Sequence, residues 1–176
     1  MRIFSGLALV LMFTFVLAAN ANAEVVKDMA GWQGTRWGMS PAQIKKLKPD
    51  FTIGKDRLGS TAGRLPDENI VHTSFEVDLG FAGVGSMLMH RAGSTEPDPP
   101  APPESEWKLA EVRLSGSPDA CYRVNEPLIA KYGQPTKVDG DGHLTLWIMP
   151  TTTIRLIHYA YICVIVYRPT PKGDGL

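Results

Sequence analysis

The sequence predicts an α+β fold, built as two halves of one helix plus three strands each, with the helices packed on one face of an antiparallel sheet. Three observations carry that expectation. Two short segments, Ser40-Pro41 and Ser117-Pro118, read as helix openings. Several stretches alternate apolar and polar residues with the period of two that marks a half-buried strand. Finally, Tyr161-Ile162-Cys163-Val164-Ile165-Val166-Tyr167 is apolar on both faces, which suits a strand held inside a sheet rather than at its edge.

The chain of 176 residues begins with a segment of a different class. Residues 1–23 hold one charge, Arg2, and 17 apolar residues, and end in Ala21-Asn22-Ala23, an A-x-A cleavage pattern. A basic start, an apolar middle and small residues at the cleavage point make a secretory signal peptide. It is set apart from residues 24–176, which are long enough for a single α+β domain with a real core. The whole chain carries 18 basic and 18 acidic side chains, and only Arg2 of these falls in the leader. Near-neutral balance gives no electrostatic footprint for nucleic acid. No later stretch approaches the roughly 18 apolar residues of a membrane helix, so no membrane span is expected. No cysteine lies near the cleavage point, and the expected location is periplasmic or secreted.

The elements follow in order. Ser40 is a good N-cap, Pro41 suits the first helical position, and Gln43 completes a capping box, with Met39 and Ile44 as a hydrophobic staple. Pro49 keeps this helix short. Residues 52–67, which contain glycine, read as irregular. Phe75, Val77, Leu79 and Phe81 then alternate with polar residues as a strand, Gly83-Val84-Gly85 reads as a turn, and 86–91 as a second strand. Residues 94–106 contain five prolines and form an extended, proline-rich loop. A third strand covers 108–115. In the second half, Ser117-Pro118 opens a helix on which Cys121, Val124, Leu128 and Tyr132 recur at helical spacing. Gly133 and Pro135 stop it, and Pro127 is expected to kink or split it. Asp139-Gly140-Asp141-Gly142 is a turn, followed by strands over 143–149, 152–158 and 161–168.

Cys121 and Cys163 are an even count in an oxidising compartment and are expected to form a disulfide; the alternative is two buried free thiols. Closing such a loop of roughly 43 residues would stabilise the fold by about 4 kcal/mol in the chain-entropy account. Metal and catalytic patterns fail on spacing. The Asp139 loop lacks the later ligands of a calcium-binding loop, offering His143, Leu144 and Pro150 where Asp or Asn, Gly and Glu are needed. His72, His90, His143 and His158 are scattered, and no metal site or cofactor is expected. Glu76 and Asp78 share a strand face, as carboxylate pairs do and as most solvated strand charges do. Among the tryptophans, Trp37 and Trp147 read as core. Trp32 and Trp107, beside glycine-rich and proline-rich segments, are the candidate partner contacts.

Two signatures carry a resemblance. Trp37-Gly38-Met39-Ser40-Pro41-Ala42-Gln43-Ile44 resembles the helix opening of small exported bacterial proteins such as the BamE-type outer-membrane assembly lipoproteins and the β-lactamase-inhibitor-like group. Leu128-Ile129-Ala130-Lys131-Tyr132-Gly133-Gln134-Pro135 resembles the helix ending of the same group. The resemblance covers about 16 residues. It implies αβ repeats, export and protein binding. The lipidated cysteine of the BamE-type proteins is absent here.

The expectation is therefore an exported, non-enzymatic protein-binding module of the bacterial cell envelope, an inhibitor or assembly factor, with an envelope protein as partner. It would use one sheet face or the proline-rich loop. A small periplasmic enzyme or ligand-binding protein is the alternative, and it would need a pocket of roughly 300 Å³ or more.

Overall fold

Helix physics decides where the first element begins. The computed structural model describes residues 30–55, 61–82 and 103–171. In it Gln43 N–H donates to the Ser40 hydroxyl at 3.4 Å, and Ser40 N–H donates to the Gln43 side-chain oxygen at 2.8 Å. This reciprocal box opens helix α1 (Pro41–Leu47). The helix stops after two turns, and Lys45 Nζ donates to the carbonyls of Pro49 and Phe51 just beyond it. Strands β1 (Thr52–Lys55), β2 (Thr61–Ile70) and β3 (Thr73–Ala82) follow. One 3-10 turn, Glu104–Glu106, leads into β4 (Lys108–Gly116). Helix α2 (Ala120–Tyr132) then precedes β5 (Lys137–Val138), β6 (Leu144–Ile148), β7 (Thr152–Tyr159) and β8 (Ile162–Pro169).

All eight strands form one antiparallel sheet in the order β1-β2-β3-β4-β8-β7-β6-β5. Each half is a four-stranded meander whose last strand turns inward. The halves meet where β4 pairs with β8, from Val112 opposite Tyr167 to Gly116 opposite Cys163. The expectation of two helix-plus-three-strand halves is overturned. The molecule is mostly an eight-stranded antiparallel sheet with two short helices. The additional strands are β1 and β2, where an irregular stretch was expected, and the two-residue β5. β2 carries Pro66 and Asp67, which look like turn residues, but they sit at a register shift between Leu65 and Glu68, where a missing N–H costs no ladder bond.

Two helix expectations are also corrected. α2 begins at Ala120 with Asp119 as N-cap, because Ser117 and Pro118 form the turn before it, in which the Ser117 carbonyl accepts from Ala120 N–H. At Pro127, where a kink or a split was expected, the split does not occur, and α2 is continuous from Ala120 to Tyr132. Gly133, at φ 81°, ends it in the left-handed region that favours glycine. The turn at Asp139 closes as expected, with Gly142 N–H donating to the Asp139 carbonyl.

Alternation sorts the side chains. Phe75, Val77 and Leu79 of β3, Val112 and Leu114 of β4, Ile165 of β8 and Ile154 of β7 are essentially sealed from solvent, and they share one cluster with Ile44 of α1 and Val124 and Leu128 of α2. Both helices therefore bury their apolar faces against the same side of the sheet. Trp147 joins this cluster and donates its indole N–H to the Gly133 carbonyl at 2.9 Å, which ties β6 to the end of α2. Tyr167 is buried there as well. Burial, reinforced by the neighbouring Tyr132, pushes its phenol well above the ordinary tyrosine value.

Several sequence expectations fall on residues outside the described ones. These are the signal peptide at 1–23, the Gly83-Val84-Gly85 turn, the strand at 86–91 with His90, and residues 94–102 of the proline-rich loop.

Candidate functional site

The side of the sheet away from the helices is built by the other half of the alternation. Cross-strand register places its residues in rows. One row runs Leu144, Ile157, Val164, Ser115, Glu76 across β6, β7, β8, β4 and β3. The next runs Leu146, Arg155, Val166, Arg113, Asp78, Arg64, reaching β2. A third contains Ile148, Thr153 and Arg168. Five strand spacings from β6 to β2 give a surface roughly 24 Å wide.

Chemistry changes along each row at the seam between β4 and β8. On the β6–β8 side the side chains are mainly aliphatic. Val164 and Val166 are buried yet stand outside the cluster under the helices, and Ile148 is 39 % exposed. On the β2–β4 side the residues are charged and interlocked. Arg64 Nε lies 3.4 Å from Asp78 Oδ1 and its guanidinium 3.8 Å from Glu76. Glu111 accepts from Arg113 at 2.8 Å and from Arg168 Nε at 2.6 Å, the second bond crossing the seam. With their arginines partly in solvent, pairs of this kind contribute about 0–1 kcal/mol each. Their main effect is to hold long side chains in place. Arg155, exposed in the middle of the aliphatic half, has no ion pair among the described residues.

The two tryptophans singled out as candidate contacts are both interior. Trp32 is 4 % exposed, and the Thr35 hydroxyl donates to its carbonyl at 2.6 Å across a tight turn. Trp107 is 8 % exposed and packs on Phe81 with ring centroids 5.9 Å apart. Both belong to the core cluster. Their composition-rich surroundings suggested exposure, whereas Gly31 and Gly34 serve a close turn that folds Trp32 inward. Trp37 is partly buried against the same core, its indole N–H donating to Thr152 Oγ1 at 3.2 Å.

Cys121 and Cys163 form the expected disulfide, with Cα atoms 5.3 Å apart. It joins the first turn of α2 to the central strand β8. Of the histidines, the sheet brings His143 and His158 together, their rings 6.4 Å apart, with His158 edge-on to Tyr122 at 4.6 Å. Among the described residues no group of three His, Cys, Asp or Glu side chains is placed to hold a metal ion. Nor is any described helix long and apolar enough to cross a membrane.

The open rows on β6–β8 were missed at the level of sequence. The signal was present in Leu144, Leu146 and Ile148, whose alternation with Thr145 and Trp147 shows an apolar residue on both faces of β6.

No family model, curated protein or solved structure matches the chain. The function is therefore argued from the geometry.

Proposed function

We propose that the protein is an exported, non-enzymatic protein-binding module of the bacterial cell envelope, and that it binds its partner through the helix-free face of the sheet. The observation that carries this reading is the division of that face into an aliphatic half on β6–β8 and an ordered charged half on β2–β4. Protein interfaces combine an apolar centre with a polar rim and are enriched in arginine at the residues that dominate binding. Arg155, set among Leu146, Val166 and Ile157, supplies a positive charge that a partner carboxylate would neutralise. The fitting partner is a protein that presents an acidic residue flanked by apolar ones. Export is supported by the leader-like sequence of residues 1–23 and by the disulfide, which forms in oxidising compartments.

Photo-crosslinking in periplasmic extract tests the reading. A crosslinker at Ile148 should give an adduct that Arg155→Glu abolishes, while a crosslinker at Glu126 on the exposed side of α2 should give none. Equal yields from both positions, or no adduct from Ile148, would overturn it.

A further inference from the structure

A concave surface lies on the opposite side of the sheet from the open face, between α2 and the strands β5, β6 and β7. It is an open crevice of about 440 Å³, within the size range of small-molecule sites. Helical spacing sets one wall, because residues 122, 125 and 129 fall on one face of α2. The segment after the helix adds Gln134, and the facing strands add Thr145, Leu156 and His158.

The chemistry of this crevice is unlike that of the open face. Among the described residues no Lys, Arg, Asp or Glu lines it. Its polar groups are the side-chain amides of Asn125 and Gln134, the hydroxyl of Thr145, and the rings of His158 and Tyr122. Amides and hydroxyls both donate and accept, as sugar hydroxyls do. No hydrogen bond among the described residues uses the side chains of Asn125, Gln134 or Thr145, so none of these groups is committed to another residue. Leu156 forms an apolar floor, 5 % exposed. At the mouth, Tyr122 is 73 % exposed and is held edge-on against His158 at 4.6 Å. An exposed ring fixed beside neutral donor–acceptor groups offers one apolar platform and several polar contacts. That combination matches the alternating C–H and O–H faces of a pyranose.

From this arrangement we infer that the crevice between α2 and β5–β7 binds a neutral saccharide, stacked on Tyr122 and hydrogen-bonded by Asn125, Gln134 and Thr145. A cationic sugar would meet no carboxylate among the described lining residues, and a wholly apolar ligand would leave the amides unpaired. The site is separate from the open face, so the two readings stand or fall independently.

The test uses the purified protein, isotopically labelled, titrated with maltotriose and with tri-N-acetylchitotriose. At least one should give saturable amide shifts centred on Asn125, Gln134, Thr145 and His158. Asn125→Ala and Tyr122→Ala should each weaken that binding about tenfold, the loss of roughly one good contact. Tyr122 is mostly exposed, so its replacement leaves the fold intact and a lost signal there reports on the ligand. Three outcomes would overturn the inference: no saturable shifts with either sugar, shifts centred elsewhere, or binding indifferent to both substitutions. Preferential binding of the neutral apolar probe N-phenyl-1-naphthylamine at these residues would also overturn it.

Discussion

At the scale of single residues, the backbone adopts demanding conformations where the side chains do little to help. The β2–β3 hairpin turns through Val71 and His72, at φ 49° and 60°. A two-residue loop with both central residues in the left-handed region matches the right-handed twist of the strands, but it strongly favours Asn-Gly. A β-branched residue there crowds the following carbonyl, at a cost of about 1–2 kcal/mol per residue. Both side chains are exposed, and Val71 is 42 % accessible, so neither gains core contacts in return. Replacing the pair by Val71→Asn with His72→Gly should therefore stabilise the fold by roughly 1–2 kcal/mol. A rise in the urea midpoint at unchanged slope would show it; an unchanged or lower midpoint would mean that these side chains hold the turn in some other way. The sequence conceals this hairpin for the same reason, since Val-His carries no turn signature.

At the scale of elements, local signals were legible where local physics decides. The capping box places α1, the period-two runs place β3 and β4, and the doubly apolar run places β8 between β4 and β7. Elements decided by distant partners were not legible. β1 and β2 exist because β3 offers an edge to pair with, and their glycine, proline and aspartate argue locally for a loop. β5 is two residues long, too short for any period. The two candidate sites share this difficulty, because the register assembles each from several separate elements. Helix α2 shows the competition most directly. Pro127 lacks an N–H and crowds the carbonyl one turn back, an effect worth about 3 kcal/mol in an isolated helix. The helix nevertheless continues, packed through Val124 and Leu128 and stapled to β8 by Cys121–Cys163. Replacing both cysteines by alanine should lower the unfolding free energy by roughly 2–5 kcal/mol. Equilibrium urea denaturation of the double variant measures this directly. Amides of α2 should also lose more exchange protection than those of β3, because the staple acts first on the helix.

At the scale of the whole molecule, the question is whether two four-stranded meanders behave as one folding unit. The backbone ladder that joins them covers only the stretch from Val112 to Gly116. A ladder this short would leave two weakly coupled units if each half had its own core. The core is instead continuous beneath it. Leu114 and Ile165 face one another across the seam, each 1 % exposed, and the same cluster reaches Phe75 in one half and Trp147 in the other. The disulfide ties α2 to β8 at the seam, and the bond from Arg168 to Glu111 spans it on the open face. Removing the side chain of Leu114 takes contacts from both halves at once, and Leu→Ala at such a site costs about 2–5 kcal/mol through lost burial and the cavity left behind. Leu114→Ala should therefore lower the stability of the molecule as one unit, with a single urea transition. Hydrogen exchange should accelerate in β3 and β7 by the same factor, since both open only in global unfolding. Faster exchange in β3 with β7 unchanged would show two units, and the helix-free face would then lack a rigid frame across its aliphatic and charged halves. Equal acceleration would mean that a partner docking on either half meets a surface whose other half is already in register.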